Sequence, residues 1–415
     1  MDILTLFFLN CQKESGVTKH KKRDLKFDSK AVFYKPDEGS NSINFPIFMS
    51  SSFEYDADIY RRVVDGERKS VNIYGRCGNP NEYQFEKQMI TIHGADACLA
   101  TASGMAAISV SLFGLLKNGD HIVCDWTTYS STHEMLDHRL TDYGITTTFV
   151  DTSNVDNVRS AIKENTKVLY FESIANPTMK VPDISLLVEL AHEKNIVIIC
   201  DNTFASPYVM RPLEWGVDIV VESATKFIGG HNDAIGGAIC MKSELLPDDF
   251  MEQIRWNTMV KWGSPISPFN AWILLRGIQT LSVRLKRQCQ NAMMLANHFN
   301  AHPKVKKVWY PGLTSHPQHE IAKKQMPNFG GMLTFEVADE TEALKVVDNL
   351  QLATFAASLG GVRTTTQIPA TMAFLDIPEK ERLEMNIHAG MIRVSTGLED
   401  ITDLKTDFDE ALALI

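Results

Sequence analysis

Six short apolar runs, separated by stretches with helical spacing, constrain the fold of this 415-residue chain more than any other feature. Within each run the apolar character is nearly continuous, which is typical of strands buried on both faces of a mainly parallel sheet. The runs are 121–124, 147–150, 168–171, 196–200, 218–221 and 238–241. Helices are predicted between them, at 104–116, 155–164 and 184–194. This succession predicts a doubly wound α/β core.

The whole chain divides into three predicted parts. Residues 1–63 are irregular, with a basic patch at 19–23 and a turn-rich stretch at 36–42. They predict an N-terminal arm that is either solvated or in contact with a neighbouring subunit. Residues 64–265 contain the α/β runs, and residues 266–415 predict a smaller α+β domain. Its predicted helices are 268–300, 339–350 and 400–414, and its predicted strands are 304–310, 332–337 and a pair at 355–358 and 391–394.

Composition and charge exclude several classes of protein. The chain has 41 Lys and Arg against 51 Asp and Glu, a net charge of −10, which argues against a general nucleic-acid binder. The first apolar run, 3–9, is far shorter than the roughly 20 residues that span a bilayer, and Asp2 stands where a secretory signal needs a basic residue. The seven cysteines include no CxxC pair and predict neither a disulfide framework nor a metal site. A cytoplasmic protein with small-molecule partners is therefore expected.

Lys226 is the strongest candidate for chemistry in this sequence. It lies between two hydroxyl residues, directly after a predicted buried strand and before a Gly-Gly turn. Desolvation lowers the pKa of a lysine and yields a nucleophilic amine that can form a Schiff base. Ser223 and Thr225 can donate to a phosphate group. A lysine at a strand end would by itself more often be structural, but its neighbours favour a functional role.

Other residues point to the same chemistry. Asp201 follows a buried apolar run, at the carboxyl edge of the sheet, where open α/β sheets bind ligands. It can keep the pyridinium nitrogen of pyridoxal phosphate protonated, which makes the ring an electron sink; the alternative is a helix N-cap. Ser103, Gly104 and Met105 open a predicted helix, whose N-terminal N–H groups can hold an anion. Tyr129 can stack on a planar cofactor or fill the core.

Together these motifs resemble the Cys/Met-metabolism family of pyridoxal-phosphate enzymes, the transsulfuration group that includes cystathionine γ-synthase, cystathionine γ-lyase and methionine γ-lyase. The most specific motif is Ser-Ala-Thr-Lys-Phe-Ile-Gly-Gly-His-Asn-Asp at 223–233. Supporting motifs are Asp-Asn-Thr at 201–203, Glu-Ser-Ile-Ala-Asn-Pro at 172–177, Ser-Leu-Gly-Gly at 358–361 and Arg-Val-Ser-Thr-Gly-Leu-Glu at 393–399. The resemblance covers roughly residues 43–411. It implies a fold-type I enzyme with a mainly parallel seven-stranded sheet and a smaller C-terminal α+β domain.

The resemblance implies a role for each matching residue around the cofactor. Lys226 matches the Schiff-base lysine, Asp201 the partner of the pyridinium nitrogen, and Asn176 the neighbour of the phenolic oxygen. Tyr129 matches the tyrosine that stacks on the ring and can deprotonate the incoming amino acid. The implied phosphate cup comprises Ser103, Gly104, Met105, Ser223 and Thr225.

Four further matches concern the substrate and the assembly. Arg393 matches the arginine that grips the substrate α-carboxylate, for which a planar bidentate fork is suited, and Ser358 lies beside it in the family. Tyr74 and Arg76 match the pair that reaches the phosphate of the neighbouring subunit. The resemblance therefore implies a site completed in a dimer, within a dimer of dimers.

The implied reaction is γ-replacement or γ-elimination on an activated homoserine or a sulfur-containing L-amino acid. Arg363 stands two positions after the Ser-Leu-Gly-Gly motif, where family members often carry glutamate or an uncharged residue. The resemblance thus implies a cation near the distal substrate pocket, unless Arg363 faces solvent or a subunit contact. Such a cation favours an acidic γ-substituent, and we therefore expect a cystathionine γ-synthase-like reaction. A cystathionine or methionine γ-lyase is the alternative, although Ser131 stands where methionine γ-lyases typically carry a cysteine.

Two functions of other kinds are less favoured. An aminotransferase of the same fold is disfavoured by the Gly-Gly-His-Asn-Asp continuation after Lys226 and by Tyr129. A non-catalytic regulator that binds pyridoxal phosphate would need a DNA-reading module, and the sequence has no basic helix-turn-helix candidate. The expected partners are an amino-acid substrate and further copies of the chain, with no nucleic acid and no membrane.

Overall fold

Seven strands form the larger of two sheets in the computed structural model, which describes residues 25–34, 42–66, 71–375 and 377–415. The strands are β1 (Ala97–Thr101), β2 (His121–Asp125), β3 (Thr146–Val150), β4 (Thr166–Glu172), β5 (Val197–Asp201), β6 (Ile219–Glu222) and β7 (Gly237–Met241). Their order is β1-β7-β6-β5-β4-β2-β3, and only β7 runs against the others. The predicted α/β fold with a mainly parallel seven-stranded sheet is confirmed.

Both faces of this sheet are covered, as the continuous apolar runs predicted. Along β4, Leu169 and Phe171 belong to one buried apolar cluster, whereas Val168 and Tyr170 belong to another. Successive side chains of a strand point to opposite faces, so the two clusters lie on the two sides of the sheet. The predicted helices between the strands are present as Gly104–Leu115, Val155–Ala161 and Ile184–Glu193.

The other α-helices of the described residues differ widely in length. They are Phe27–Val32, Ala57–Val64, Pro80–His93, Ser130–Glu134, Ser206–Val209, Phe250–Ile254, Val260–Trp262, Pro268–Ile278, Leu281–Asn300, His319–Gln325, Glu340–Asn349, Pro369–Met372, Glu379–Glu384 and Ile401–Leu412. None of the helices in the described part of the chain is long and apolar enough to cross a membrane. The basic patch at 19–23 and residues 36–41 of the turn-rich stretch lie outside the described residues.

The second sheet has five strands in the order β10-β11-β12-β9-β8. They are β8 (Lys307–Trp309), β9 (Met332–Glu336), β10 (Thr354–Phe355), β11 (Thr365–Gln367) and β12 (Met391–Ser395). The sequence did not predict β11, which lies between β10 and β12, so the expected direct pairing of 355–358 with 391–394 is wrong. Phe335 of β9 packs with Phe299 and Phe408, which lie in two helices beside this sheet.

The single helix predicted at 268–300 is also wrong, because the chain breaks between Ile278 and Leu281. At the break the amide of Thr280 donates to the carbonyl of Gly277, a tight i to i+3 bond. The same carbonyl accepts from Arg284 at 2.8 Å. Arg284 also donates to the carbonyls of Phe227 and Ile228, so the bend ties the second helix to the segment after Lys226.

Candidate active site

A cavity of about 550 Å³ lies at the carboxyl ends of the central strands, between the large sheet and the second sheet. Most of the residues predicted from the motifs line it: Ser103, Gly104, Met105, Tyr129, Asn176, Asp201, Ser223, Thr225, Lys226, Ser358 and Arg393. Parallel strands end at one edge of a sheet, so residues distant in sequence meet there. The second sheet contributes Arg393 from β12.

Lys226 follows β6 in a tight turn, in which its amide donates to the carbonyl of Ser223 at 3.0 Å. Its Nζ donates to Ser358 Oγ at 2.9 Å. Burial, with a smaller contribution from the nearby charge of Arg393, lowers the pKa of Lys226 to about 8. More of this amine is therefore neutral, and nucleophilic, near neutral pH than for an ordinary lysine.

The Ser-Leu-Gly-Gly motif packs directly on the backbone of this lysine. Ser358 has a φ of +83°, a strained conformation for a residue with a side chain. Gly360 has a φ of +79°, and a Cβ there would lie 2.7 Å from the amide nitrogen of Phe227. Glycine is thus required at position 360 both by conformation and by space. The loop brings the Ser358 hydroxyl to Lys226 and the Ser358 carbonyl to Arg393.

The predicted phosphate cup is built where the helix Gly104–Leu115 begins. Ser103 caps this helix by accepting from the Ala106 amide at 3.1 Å, and the first turn has no acidic residue. A Cβ at Gly104 would lie 2.6 Å from Ser223 Cβ, so only glycine lets the two segments approach this closely. The open N–H groups and positive end of a 12-residue helix suit a phosphate dianion.

Asp201 ends β5 with its carboxyl buried at the cavity wall. It accepts from the Thr203 amide at 3.0 Å and from the Tyr170 hydroxyl at 3.3 Å. Burial raises its pKa, while these hydrogen bonds oppose the rise. A cationic ring nitrogen beside this carboxyl would supply the missing positive charge, so the site suits a protonated pyridine.

Arg393 and Tyr129 border the open part of the cavity. The Arg393 guanidinium is buried and donates to Asn176 Oδ1 at 3.1 Å and to the Ser358 carbonyl at 3.2 Å. Burial lowers the pKa of Arg393 to about 10, which still leaves it cationic near neutral pH. Tyr129 is 46% exposed, so its ring is available to a ligand.

Three predicted residues do not line the cavity of this chain. Tyr74 is 47% exposed, and Arg76 donates to the Val260 carbonyl at 2.7 Å. Arg363 is exposed and donates to Thr354 Oγ1 at 3.0 Å. The structure thus does not place Arg363 at the distal pocket, because its side chain lies against β10 instead. The solvent-facing alternative matches this geometry.

Sequence reasoning assigned no role to several residues that do line the cavity. Glu172 is the acidic one among them, and the neutral ones include Ala357, Gln367, Met372 and Ala373. A signal for Glu172 was present, since it ends an apolar run in the same manner as Asp201. The neutral residues carry no comparable signal, because their position depends on how the second sheet packs against the first.

Comparison with known proteins agrees with this geometry. The family model for Cys/Met metabolism PLP-dependent enzymes matches residues 31–413. The chain belongs to this family. Pyridoxal phosphate (PLP) is therefore its cofactor, and the lowered pKa of Lys226, the buried carboxyl of Asp201 and the cup at Gly104 fit that group.

Curated relatives and a solved structure extend the match. The chain is 41% identical over 377 residues to an L-methionine gamma-lyase of Fusobacterium nucleatum subsp. polymorphum, covering 90% of this chain and 94% of the relative. It is 40% identical over 382 residues to a cystathionine beta-lyase of Coxiella burnetii, covering 91% and 95%. The structure of a putative O-acetylhomoserine (thiol)-lyase of Campylobacter jejuni, which carries a pyridoxyl-lysine phosphate, has a TM-score of 0.89 at 30% identity and covers 94% and 100%.

Proposed function

We propose that this protein is a carbon–sulfur lyase that eliminates the γ-substituent of a sulfur-containing L-amino acid. The observation that carries the proposal is the charge distribution of the cavity. Its carboxyl and basic side chains among the described residues are Glu172, Asp201, Lys226 and Arg393, and the remaining wall carries none. The 41% identity to a methionine gamma-lyase supports the same function. The preference for a synthase depended on Arg363, which lies outside the cavity.

The neutral wall favours a substrate with an uncharged γ-substituent, such as the methylthio group of methionine. Arg393 can bind the α-carboxylate, which places the rest of the substrate between Tyr129 and Lys226. Ala357, Leu359 and Met372 then offer apolar surface to the substituent. A charged group buried there without a partner would cost several kcal/mol. Substrates with a second charged end are therefore expected to be poorer.

The roles proposed for the residues follow from this placement. When bound, PLP supplies an electron sink for a carbanion at the substrate carbon. Ser103, Gly104, Met105, Ser223 and Thr225 hold its phosphate, while Asp201 and Asn176 orient its ring. Lys226 would hold the cofactor, and its lowered pKa provides a neutral amine that can accept and return the Cα proton of the substrate.

Product analysis tests this function directly. The purified protein would be incubated with L-methionine, L-cystathionine, O-acetylhomoserine or O-succinylhomoserine, the last two with and without cysteine. We expect methionine to give 2-oxobutanoate, ammonia and methanethiol in equal amounts. If cystathionine gave mainly pyruvate, ammonia and homocysteine, the reaction would be β-cleavage, which is the activity that the name of the Coxiella burnetii relative states. Cystathionine formation faster than any elimination would instead favour the synthase.

Two charge substitutions, at Ala357 and at Arg363, test which of these residues faces the γ-substituent of the substrate. Ala357 lines the cavity beside Ser358, whereas Arg363 does not line it. A carboxylate introduced at 357 can pair with the distal ammonium of cystathionine, with a charge-assisted bond worth about 1.5–3 kcal/mol. We expect Ala357→Glu to shift the kcat/KM ratio of cystathionine to methionine upward about tenfold or more. Arg363→Glu is the matched control and should leave this ratio within about twofold; the opposite ranking would restore Arg363 to the pocket.

The assembly belongs to the proposal as well. We infer that Tyr74 and Arg76 serve the phosphate of a partner subunit, as the family resemblance implies, in a dimer of dimers. The segment before them exposes several large apolar side chains that a partner could cover, namely Ile43, Ile47, Met49, Tyr55, Tyr60 and Val64. The division into an arm (1–63), a PLP-binding domain (64–265) and a C-terminal domain (266–415) and the cytoplasmic location stay predictions.

Hybrid dimers test the shared site. Mixing inactive Arg76→Ala with inactive Lys226→Ala subunits should restore about a quarter of the wild-type activity, since one site of each hybrid has both residues. The matched control mixes Lys226→Ala with Arg393→Ala. Lys226 and Arg393 line one cavity of the same chain, so these hybrids should stay inactive. If both mixtures behave alike while hybrids form, Arg76 does not act across the interface.

A further inference from the structure

Glu172 is a buried acidic residue of the cavity to which the proposed mechanism gives no role. It is the last residue of β4, and its main chain lies in register with Asp201 on the neighbouring strand β5. Paired residues of adjacent strands point to the same face, so both carboxyl groups face the cavity, which both residues line. Glu172 is only 6% exposed and has no salt bridge within the described part of the chain.

The two carboxyl oxygens of Glu172 accept hydrogen bonds from two different segments, each of which carries a proposed site residue. Glu172 Oε1 accepts from the Tyr129 amide at 2.6 Å, and Oε2 accepts from the Asn176 amide at 3.4 Å. Tyr129 lies in the connection after β2, and Asn176 lies in the connection after β4. The first of these contacts is short and partly buried, so it fixes where the Tyr129 backbone lies relative to β4.

The connection continues from Asn176 to the substrate arginine. Asn176 Oδ1 accepts from Arg393 Nη1 at 3.1 Å. A shift of the Asn176 backbone would therefore move an acceptor of the Arg393 guanidinium. Glu172 thus contacts the cofactor-facing tyrosine directly and the carboxylate-binding arginine through one residue.

We propose that Glu172 is a positioning residue, whose hydrogen bonds hold Tyr129 and Asn176 in one arrangement and, through Asn176, also hold Arg393. The proposal rests on the site roles given under the proposed function. Burial and the neighbouring Asp201 raise the pKa of Glu172 well above its ordinary value, which agrees with an uncharged carboxyl group. An uncharged carboxyl can still accept from both amides.

Two substitutions separate the hydrogen bond to Tyr129 from packing. Glu172→Gln keeps the shape and an oxygen that can accept from the Tyr129 amide, but its NH2 group cannot accept from the Asn176 amide. Glu172→Leu has a similar volume without any acceptor, and it leaves the Tyr129 and Asn176 amides unpaired. We expect kcat to fall about 100-fold in Glu172→Leu and less than about tenfold in Glu172→Gln, because small misplacements of reacting groups have effects of this size. Glu336→Gln is the control, since Glu336 binds His388 outside the cavity.

A spectroscopic measurement decides the proposal without any substrate. Circular dichroism in the visible absorption band of bound PLP reports how the ring is held by its asymmetric surroundings. We expect this signal to be retained in Glu172→Gln and reduced at least about twofold in Glu172→Leu, at equal cofactor content. If the wild type turns over no sulfur amino acid, the proposed function fails, while this signal still tests Glu172.

The competing outcomes are distinct. A purely structural Glu172 would give a lower melting temperature in Glu172→Leu with an unchanged visible signal and unchanged kcat, which would overturn the proposal. Equal damage in Glu172→Gln and Glu172→Leu would show that the retained acceptor for the Tyr129 amide has no effect on the site, and would overturn the proposal as well. If Glu172→Leu does not fold, Glu172→Asp replaces it. Its carboxyl is one methylene too short to reach both amides, so the visible signal should again be reduced, and an unchanged signal would contradict positioning.

Discussion

Replacing Lys226 with alanine is expected to lower kcat by about three orders of magnitude or more and to remove the visible absorption of lysine-bound PLP. Among the described residues that line the cavity, Lys226 is the only one with a primary amine. No neighbouring side chain there could take its place as the covalent attachment point. Absorption spectra of the dialysed protein and steady-state kinetics measure both effects.

The matched variant for this experiment is Lys226→Arg. It keeps a positive charge near Ser358, but a guanidinium is not a nucleophile at neutral pH. We expect it to be as inactive as the alanine variant, which separates covalent attachment from charge. Borohydride reduction of the wild type, followed by peptide mapping, should place the cofactor on Lys226. A reduced cofactor on another lysine, or an active Lys226→Ala protein, would contradict the assignment.

Much of the large sheet could be predicted because its strands are buried on both faces. Runs such as 168–171 and 196–200 must be apolar throughout, so the sequence marks them and their carboxyl ends together. Asp201 and Lys226 follow such runs, and they meet at the cavity for that topological reason. The strand β1 escaped prediction, since its Ala-Cys-Leu-Ala-Thr sequence is made mostly of small residues with weak strand preference.

Long-range contacts explain what sequence patterns could not predict. Beside the break before Leu281, Arg284 donates to carbonyls of two different segments, and these contacts have no local sequence signature. The distal-pocket position of Arg363 was implied by the family resemblance after the Ser-Leu-Gly-Gly motif, but the chain turns at Gly360. The Arg363 side chain consequently lies against Thr354 of β10, while Ala357, before the motif, lines the cavity.

Replacing Arg393 with alanine is expected to lower kcat/KM strongly. Unlike the Lys226→Ala variant, this variant should keep its bound cofactor. Its guanidinium is buried and held by Asn176 and Ser358, so it is oriented before any substrate binds. Two charge-assisted hydrogen bonds to a carboxylate are together worth about 3 kcal/mol, which corresponds to a loss of roughly 100-fold in kcat/KM. The bound cofactor and its visible absorption should stay, because Lys226 and the phosphate cup are unchanged.

Arg393→Lys refines this prediction, and Arg287→Ala provides its control. A lysine keeps the charge but lacks the planar fork, so its kcat/KM should fall between that of the wild type and that of Arg393→Ala. Arg287 lies outside the cavity and is half-exposed, and its removal should leave KM within about twofold. Methionine kinetics and cofactor titration, measured on the same preparations, distinguish the roles. If Arg393→Ala lost PLP while KM for the remaining holoenzyme stayed at the wild-type value, the arginine would hold the cofactor and not the substrate carboxylate.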